Sequence, residues 1–153
     1  MSDPVFRYAT GADLPAIVAL LSDDEYAENR EIGGSEVAPE YEKAFAAMQA
    51  MPGNRMLLAE LDGTIVAALQ LTFIPGLSRR GATRAIVESV RVASDARDRG
   101  IGTAIMKHAI AQARAAGCSL VQLTSDSRRT RAHLFYRRLG FQQSHAGFKK
   151  ELT

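Results

Sequence analysis

The chain has 153 residues, 46% of them hydrophobic and 24% charged, which predicts a single domain over 1–153 with a real core. Its one cysteine, Cys118, rules out an internal disulfide framework, and no apolar run approaches the roughly 20 residues that span a bilayer. The formal net charge of +2 conceals an asymmetry: residues 1–75 carry 4 basic and 12 acidic side chains and residues 76–153 carry 15 and 5, which asks for a polyanion near the second half.

In chain order, "VFRYAT" predicts a short strand, and Thr10 or Asp13 can cap a helix carried by Leu14, Ile17, Val18 and Leu21. The opening segment lacks the cationic start and apolar stretch of a secretory signal, so the expected location is the cytoplasm, which also suits a lone thiol. Residues 22–39 are polar and acidic and predict a loop or broken helix. A helix from about Glu40 to Met51 follows, with Tyr41, Phe45 and Met48 on its inner face and "PGN" as its stop. "RMLLAELDGTIVAALQLTFIP" is a hairpin turning at Asp62 and Gly63. "ATRAIVESVRV" predicts another strand, a helix runs from Gly100 to about Ala116, and "CSLVQLTS" predicts a buried strand. A helix over about Arg128–Leu139 and two short strands in "FQQSHAGFKKEL" complete the chain. The strand–helix–strand unit around Gly100 implies a right-handed parallel crossover in a mixed α/β sheet.

Gly100 and Gly102 stand at the start of that helix, just after Arg97 and Arg99. A first helical turn leaves backbone N–H groups unpaired and partly positive, which suits phosphate oxygens, and glycine lets them approach the main chain. The segment has neither the Gly-Lys-Ser/Thr ending of a P-loop nor the third glycine of a dinucleotide fingerprint. A tight strand-to-helix turn without a ligand accounts for the same pattern.

"RDRGIG", with "ESVRV" before it and "AHLFYRRLGF" some thirty residues after it, resembles the Arg/Gln-x-x-Gly-x-Gly/Ala signature of the GNAT superfamily of acyl-CoA-dependent N-acyltransferases. The tail from "LTSDSRR" through "AHLFYRRLGFQQSHAGFKKEL" is similar to one branch, the aminoalkylphosphonate N-acetyltransferases. The resemblance implies a mixed, mostly antiparallel central sheet flanked by helices, with the parallel crossover at the CoA site, and acetyl-CoA as co-substrate. It implies that Val90, Arg91 and Val92 lie along the pantetheine arm, with Val90 and Val92 supplying backbone pairing. Arg97, Asp98, Arg99, Gly100, Ile101, Gly102 and Thr103 would surround the pyrophosphate. Many members carry an asparagine where this chain has Arg129, which makes Arg129 a cationic replacement at the CoA contact.

An aliphatic ammonium is only about 0.04% neutral at pH 7, so supplying free amine costs ~4.6 kcal/mol unless a carboxylate, or a water it polarises, assists. Strand alternation puts Ile86, Glu88, Val90 and Val92 on one face, where apolar neighbours would desolvate Glu88. Glu88 is therefore the candidate base; partnership with an arginine is the structural alternative. The departing thiolate needs a proton, for which the resemblance offers Tyr136. Periodicity alone places Tyr136 in a core stripe with Ala132, Phe135 and Leu139. The N–H of Ser89 or Val90, beside a strand distortion, would hold the thioester oxygen.

His108, His133 and His145 lack metal-ligand spacing, and no Gly-x-Ser-x-Gly elbow is present. Residues 22–42 hold eight acidic side chains, Asp23, Asp24, Glu25, Glu28, Glu31, Glu36, Glu40 and Glu42, against Arg30 alone. Such a lip would attract a cationic amine, although a solvated loop has the same composition. The tail resemblance points instead to an acceptor with an anionic end, which Arg79, Arg80 and Arg84 could receive, so a zwitterionic small-molecule amine reconciles the two. The expected partners exclude nucleic acid and membrane and allow a homodimer. The competing functions are an acyl-CoA-binding regulatory domain without turnover and an acetyltransferase for protein or peptide amines.

Overall fold

The computed structural model describes residues 2–26 and 30–153. They group into two compact units, Met1–Gln122 and Leu123–Thr153. Five strands, β1 (Val5–Tyr8), β2 (Asn54–Leu61), β3 (Thr64–Pro75), β4 (Thr83–Val92) and β5 (Leu120–Leu123), form one sheet in the order β1-β2-β3-β4-β5. The pairs β1–β2, β2–β3 and β3–β4 are antiparallel, and β4–β5 is the parallel pair expected around the Gly100 helix.

The hairpin is as the sequence has it. Asp62 and Gly63 take φ 51° and 80°, the left-handed pair that matches the twist of the flanking strands. Two helices, α1 (Leu14–Ser22) and α2 (Pro39–Ala50), cover one face of the sheet. Pro15 and Pro39 stand in their first turns, where a missing N–H costs nothing. Ile17, Leu20 and Phe45 pack there with Met56, Leu58 and Ala68, and Leu14, Leu21 and Met48 lie partly buried around them. The alternate positions Leu57, Leu69, Leu71 and Val87 are buried on the opposite face. That face is covered by α4 (Ile101–Ala115) through Ile105, Met106, Ala109 and Ala113.

Two expectations need correction. The strand at "CSLVQLTS" shrinks to four residues, and they are half-buried or exposed, because β5 is the sheet's edge. No strand occurs after residue 140 among the described residues: Phe148 and Leu152, the apolar positions that would anchor one, are 94% and 91% exposed. The helix expected over about Arg128–Leu139 is α5 (Thr130–Arg138), and none of its residues is fully buried. Between β3 and β4, a single turn labelled α3 (Ser78–Gly81) holds Arg79 and Arg80 at φ 55° and 62°, a left-handed pair that only local geometry, not composition, specifies.

One polar cluster ties β1 to the start of α1. Arg7 donates to both carboxylate oxygens of Asp13 at 2.7 Å and to Glu60 Oε1 at 2.8 Å, and the Thr10 N–H donates to Asp13 Oδ2 at 2.7 Å. The hydrogen bonds from Arg7 lead in holding the Asp13 carboxyl down to about 2. A lowered carboxyl contributes stability that is complete above the ordinary aspartate value near 3.8 and is lost as pH falls toward 2. The Arg7 side chain is 36% exposed, so screening leaves a contribution of about 1 kcal/mol. Asp13→Asn should therefore lower Tm by roughly 2–4 °C at pH 7 and by less at pH 2.5, measured by calorimetry; an equal loss at both pH values contradicts the assignment.

Candidate active site

The expected site residues fall in both units. Glu88, Ser89, Val90, Arg91 and Val92 occupy the second half of β4, and residues 97–103 run from its end into α4. Arg129 and Tyr136 belong to the second unit, at the N-cap and on the body of α5.

The distortion expected near Ser89 is present. Ala68 is level with Arg91 and Gln70 with Glu88, so between these pairs β3 advances two residues and β4 three. The extra residue is accommodated at Ser89, whose φ of 53° is left-handed, and such a bulge releases backbone groups from the ladder. β5 begins level with Thr83, whose carbonyl accepts the Ser119 N–H at 2.9 Å. Counting onward from that bond, the four-residue β5 runs out level with about Val87. The edge of β4 at and beyond the bulge thus extends past its parallel neighbour, as backbone pairing with an extended ligand requires.

The surroundings of Glu88 differ from those read from alternation. Ala85 and Val87 are the buried residues of β4, while Glu88 is exposed. The bulge breaks the alternation that would have carried one face from Ile86 through Glu88 to Val92. Desolvation by apolar neighbours is therefore not what this structure supplies to Glu88. Its cross-strand neighbour is Gln70, whose Nε2 donates to Asn54 Oδ1 at 3.0 Å; that oxygen also accepts the Thr72 hydroxyl at 3.3 Å. Asn54 and Thr72 are buried, so a hydrogen-bonded polar row flanks Glu88. The pattern of "NRMLL" and "LQLTF" contained it only as polar residues inside apolar strands.

At the glycine turn, Gly100 has φ 77° and caps α4, and Asp98 has φ 61°. A Cβ added at Gly100 would meet nothing within 4 Å, so the backbone conformation, more than close packing, calls for glycine. The first intrahelical bond runs from the Ala104 N–H to the Gly100 carbonyl at 3.0 Å, which leaves the amides of Ile101, Gly102 and Thr103 ahead of the ladder. Arg97 and Arg99 are exposed beside them. Three aligned N–H donors at a positive helix end with two guanidinium groups fit a pyrophosphate. Arg97 also has local partners: its Nε donates to the Val92 carbonyl at 3.2 Å and its Nη2 to the Asp23 carbonyl at 3.4 Å.

Tyr136 is half-buried, with Phe135 and Phe141 rings at centroid distances of 5.2 and 6.0 Å. Its carbonyl accepts the N–H groups of Leu139 and Phe141 at 3.1 and 3.0 Å, closing the end of α5 at Gly140. The stripe of Ala132, Phe135, Tyr136 and Leu139 read from periodicity is thus half-buried and not core. Arg129 is half-buried, and its N–H donates to the Asp126 carbonyl at 3.0 Å. Asp126 is gripped by Arg128 through Nε at 2.9 Å and Nη2 at 2.6 Å, which holds its carboxyl well below the usual range.

The acidic segment is only partly a lip. Asp23, Glu25 and Glu36 are exposed, but the Asp24 side chain is 6% exposed and paired with Arg91. Glu31 accepts the Tyr41 hydroxyl at 3.0 Å; Glu28 lies outside the described residues. An open groove between α1 and residues 33–37 is lined by Pro15, Val18, Ser22, Gly34 and Glu36. Arg84 is engaged with Gln122 Oε1 at 3.1 Å and Ser78 Oγ at 3.3 Å, whereas Arg79 and Arg80 are exposed. Burial pushes the Cys118 thiol up, away from nucleophilic use. Among the described residues no group of three or more His, Cys, Asp or Glu side chains could hold a metal ion, and no helix is long and apolar enough to cross a membrane.

A strand bulge leading into a glycine-capped helix defines a class, and comparison with known proteins agrees with it. The chain belongs to the acetyltransferase (GNAT) family, which it matches over residues 15–141, and is by class an N-acetyltransferase. It is 31% identical over 147 residues to the aminoalkylphosphonate N-acetyltransferase of Salmonella typhimurium, covering 95% of this chain and 90% of that protein. A crystal structure of a transcriptional regulator from Bacillus halodurans superposes with a TM-score of 0.95 at 38% identity, over 98% of this chain and 100% of the other. A putative acetyltransferase from Agrobacterium tumefaciens gives a TM-score of 0.83 at 31% identity, over 96% and 99%.

Proposed function

We propose that this protein transfers the acetyl group of acetyl-CoA to a primary amine of a small molecule by direct attack, with residues 1–153 acting as one catalytic domain. The observation that carries the reading is the run from the bulge at Ser89, along the part of β4 that extends past the end of β5, to the glycine-capped start of α4. Bound acetyl-CoA supplies an activated acyl carbon and a thiolate leaving group. The backbone of Val90, Arg91 and Val92 aligns the pantetheine arm. The amides of Ile101, Gly102 and Thr103, with Arg97, Asp98, Arg99 and Gly100 around them, hold the pyrophosphate, and Arg129 adds a cation.

Glu88 takes the proton of the attacking amine, directly or through one water, and its exposed position makes it reachable by an incoming acceptor. The N–H of Ser89 or Val90, at the bulge, donates to the thioester oxygen. The Tyr136 hydroxyl protonates the departing thiolate. The acceptor is a zwitterion: exposed Asp23, Glu25 and Glu36 favour its ammonium, and Arg79 and Arg80 its anionic end. The relative named for aminoalkylphosphonates supports such an acceptor. The setting is cytoplasmic, the assembly a monomer or homodimer, and no nucleic acid takes part.

The similar Bacillus protein called a transcriptional regulator favours a second reading, an acyl-CoA-binding regulator without turnover. Both readings require acetyl-CoA binding, and acetyl-CoA should raise Tm in a concentration-dependent way while NAD and ATP do not. Gly102→Glu, which puts a side chain and a negative charge at the phosphate, should abolish the shift. Stabilisation by ATP instead, or a normal acetyl-CoA shift in folded Gly102→Glu, contradicts the site.

A further inference from the structure

Composition groups Asp24 with an acidic run and the family resemblance sets Arg91 along the pantetheine arm, yet the structure joins them. Arg91 Nη2 lies 3.1 Å from Asp24 Oδ2, with the two side chains only 14% and 6% exposed. Arg91 Nη1 donates to the carbonyl of Val90, its own neighbour in the chain, at 2.9 Å. The guanidinium therefore folds back on β4 and spans a backbone carbonyl and a carboxylate. That carbonyl belongs to the bulge, next to the left-handed Ser89, where a regular ladder no longer fixes the peptide planes. Arg30 approaches the same carboxylate at 3.7 Å. The next residue back, Asp23, ties the same segment to Arg97 through its carbonyl at 3.4 Å.

Withdrawing two charges from water makes such a pair a poor source of net stability against an apolar pair of the same size; its best use is to specify geometry. Only a guanidinium does both jobs here, since its planar fork offers separate N–H groups in fixed directions, while a lysine ammonium is a single point of charge.

We propose that Asp24 and Arg91 form a clamp that fixes the Val90–Arg91 peptide plane at the β4 bulge, and through it the ψ of Val90 directly after the Ser89 and Val90 N–H groups, which makes Asp24 a positioning residue for acetyl transfer, acting through Arg91. The proposal rests on the acetyltransferase reading and on the bulge amides as donors to the thioester oxygen. Asp24 is thereby removed from the acceptor lip, and the guanidinium of Arg91 from contact with the pantetheine arm, which its backbone alone would meet.

The test uses the purified full chain and compares wild type, Asp24→Asn and Arg91→Lys for kcat, KM of each substrate, acetyl-CoA Kd by calorimetry, and Tm. Both variants are expected to lose about 10- to 100-fold in kcat, the scale of a misplaced reacting group, with acetyl-CoA Kd within about threefold of wild type. Arg91→Lys keeps a cation opposite Asp24, so a merely structural ion pair predicts normal kcat in that variant, and that result overturns the clamp. A loss confined to acetyl-CoA affinity also overturns it, by making Arg91 a donor ligand. If Asp24→Asn does not fold, Arg91→Lys alone decides. Wild type that turns over no amine overturns the acetyltransferase reading and the clamp's role with it, whereas active wild type with unaffected variants removes only the clamp.

Discussion

Tyr136→Phe is expected to lower turnover by roughly 10² to 10⁴, the span of a lost positioned proton donor, while acetyl-CoA affinity and Tm stay near wild type. The substitution keeps the ring that packs with Phe135 and Phe141 and removes only the hydroxyl. A tyrosine present solely for aromatic packing predicts little change in rate. If the hydroxyl anchors CoA, affinity weakens together with rate. Steady-state kinetics with parallel binding and melting measurements separate the three outcomes, and full activity returns Tyr136 to packing and leaves water to protonate the thiolate.

Glu88→Gln is expected to show a loss that depends on pH. If Glu88 relays the amine proton, turnover falls by roughly 10² to 10⁴ at neutral pH, the usual contribution of a general base. It recovers as pH approaches the amine's own pKa near 10.4, because free amine is then present in solution. Since Glu88 is exposed and its neighbours Gln70, Asn54 and Thr72 already satisfy one another, the substitution leaves no buried group unpaired, and Tm should hardly move. A pH-independent loss, or none, rejects the base role.

Where a local rule had one structural outcome, the sequence was legible. Asp62-Gly63 between two apolar runs admits little besides a tight hairpin, and Gly100, placed where a left-handed φ must precede a helix, marks the start of α4 within one residue. Alternation failed at Ser89 because a bulge inserts one residue and shifts every position beyond it. Nothing in "VESVRV" distinguishes a bulged strand from a regular one, and the expectation of a distortion came from the chemistry, which needs a fixed backbone donor to the thioester oxygen. The strands expected in the tail failed for a different reason: polar and apolar residues can alternate without a neighbouring ladder, and Phe148 and Leu152 remain in solvent. Asp24 was hidden by its company. In a run of eight acidic residues each looks like a solvated charge, and only the approach of Arg91, sixty-seven positions along the chain, singles one out. Long-range pairing of this kind leaves no local trace.

The central claim is turnover, not binding. Purified protein mixed with acetyl-CoA and a panel of small primary amines, including aminoalkylphosphonates, amino acids and plain alkylamines, should release CoA thiol with at least one acceptor, and the product should carry one acetyl group on nitrogen. Zwitterionic members of the panel should give the highest kcat/KM. Saturable acetyl-CoA binding with no thiol release above the rate without amine, across the whole panel, would contradict the account and make the protein an acyl-CoA sensor.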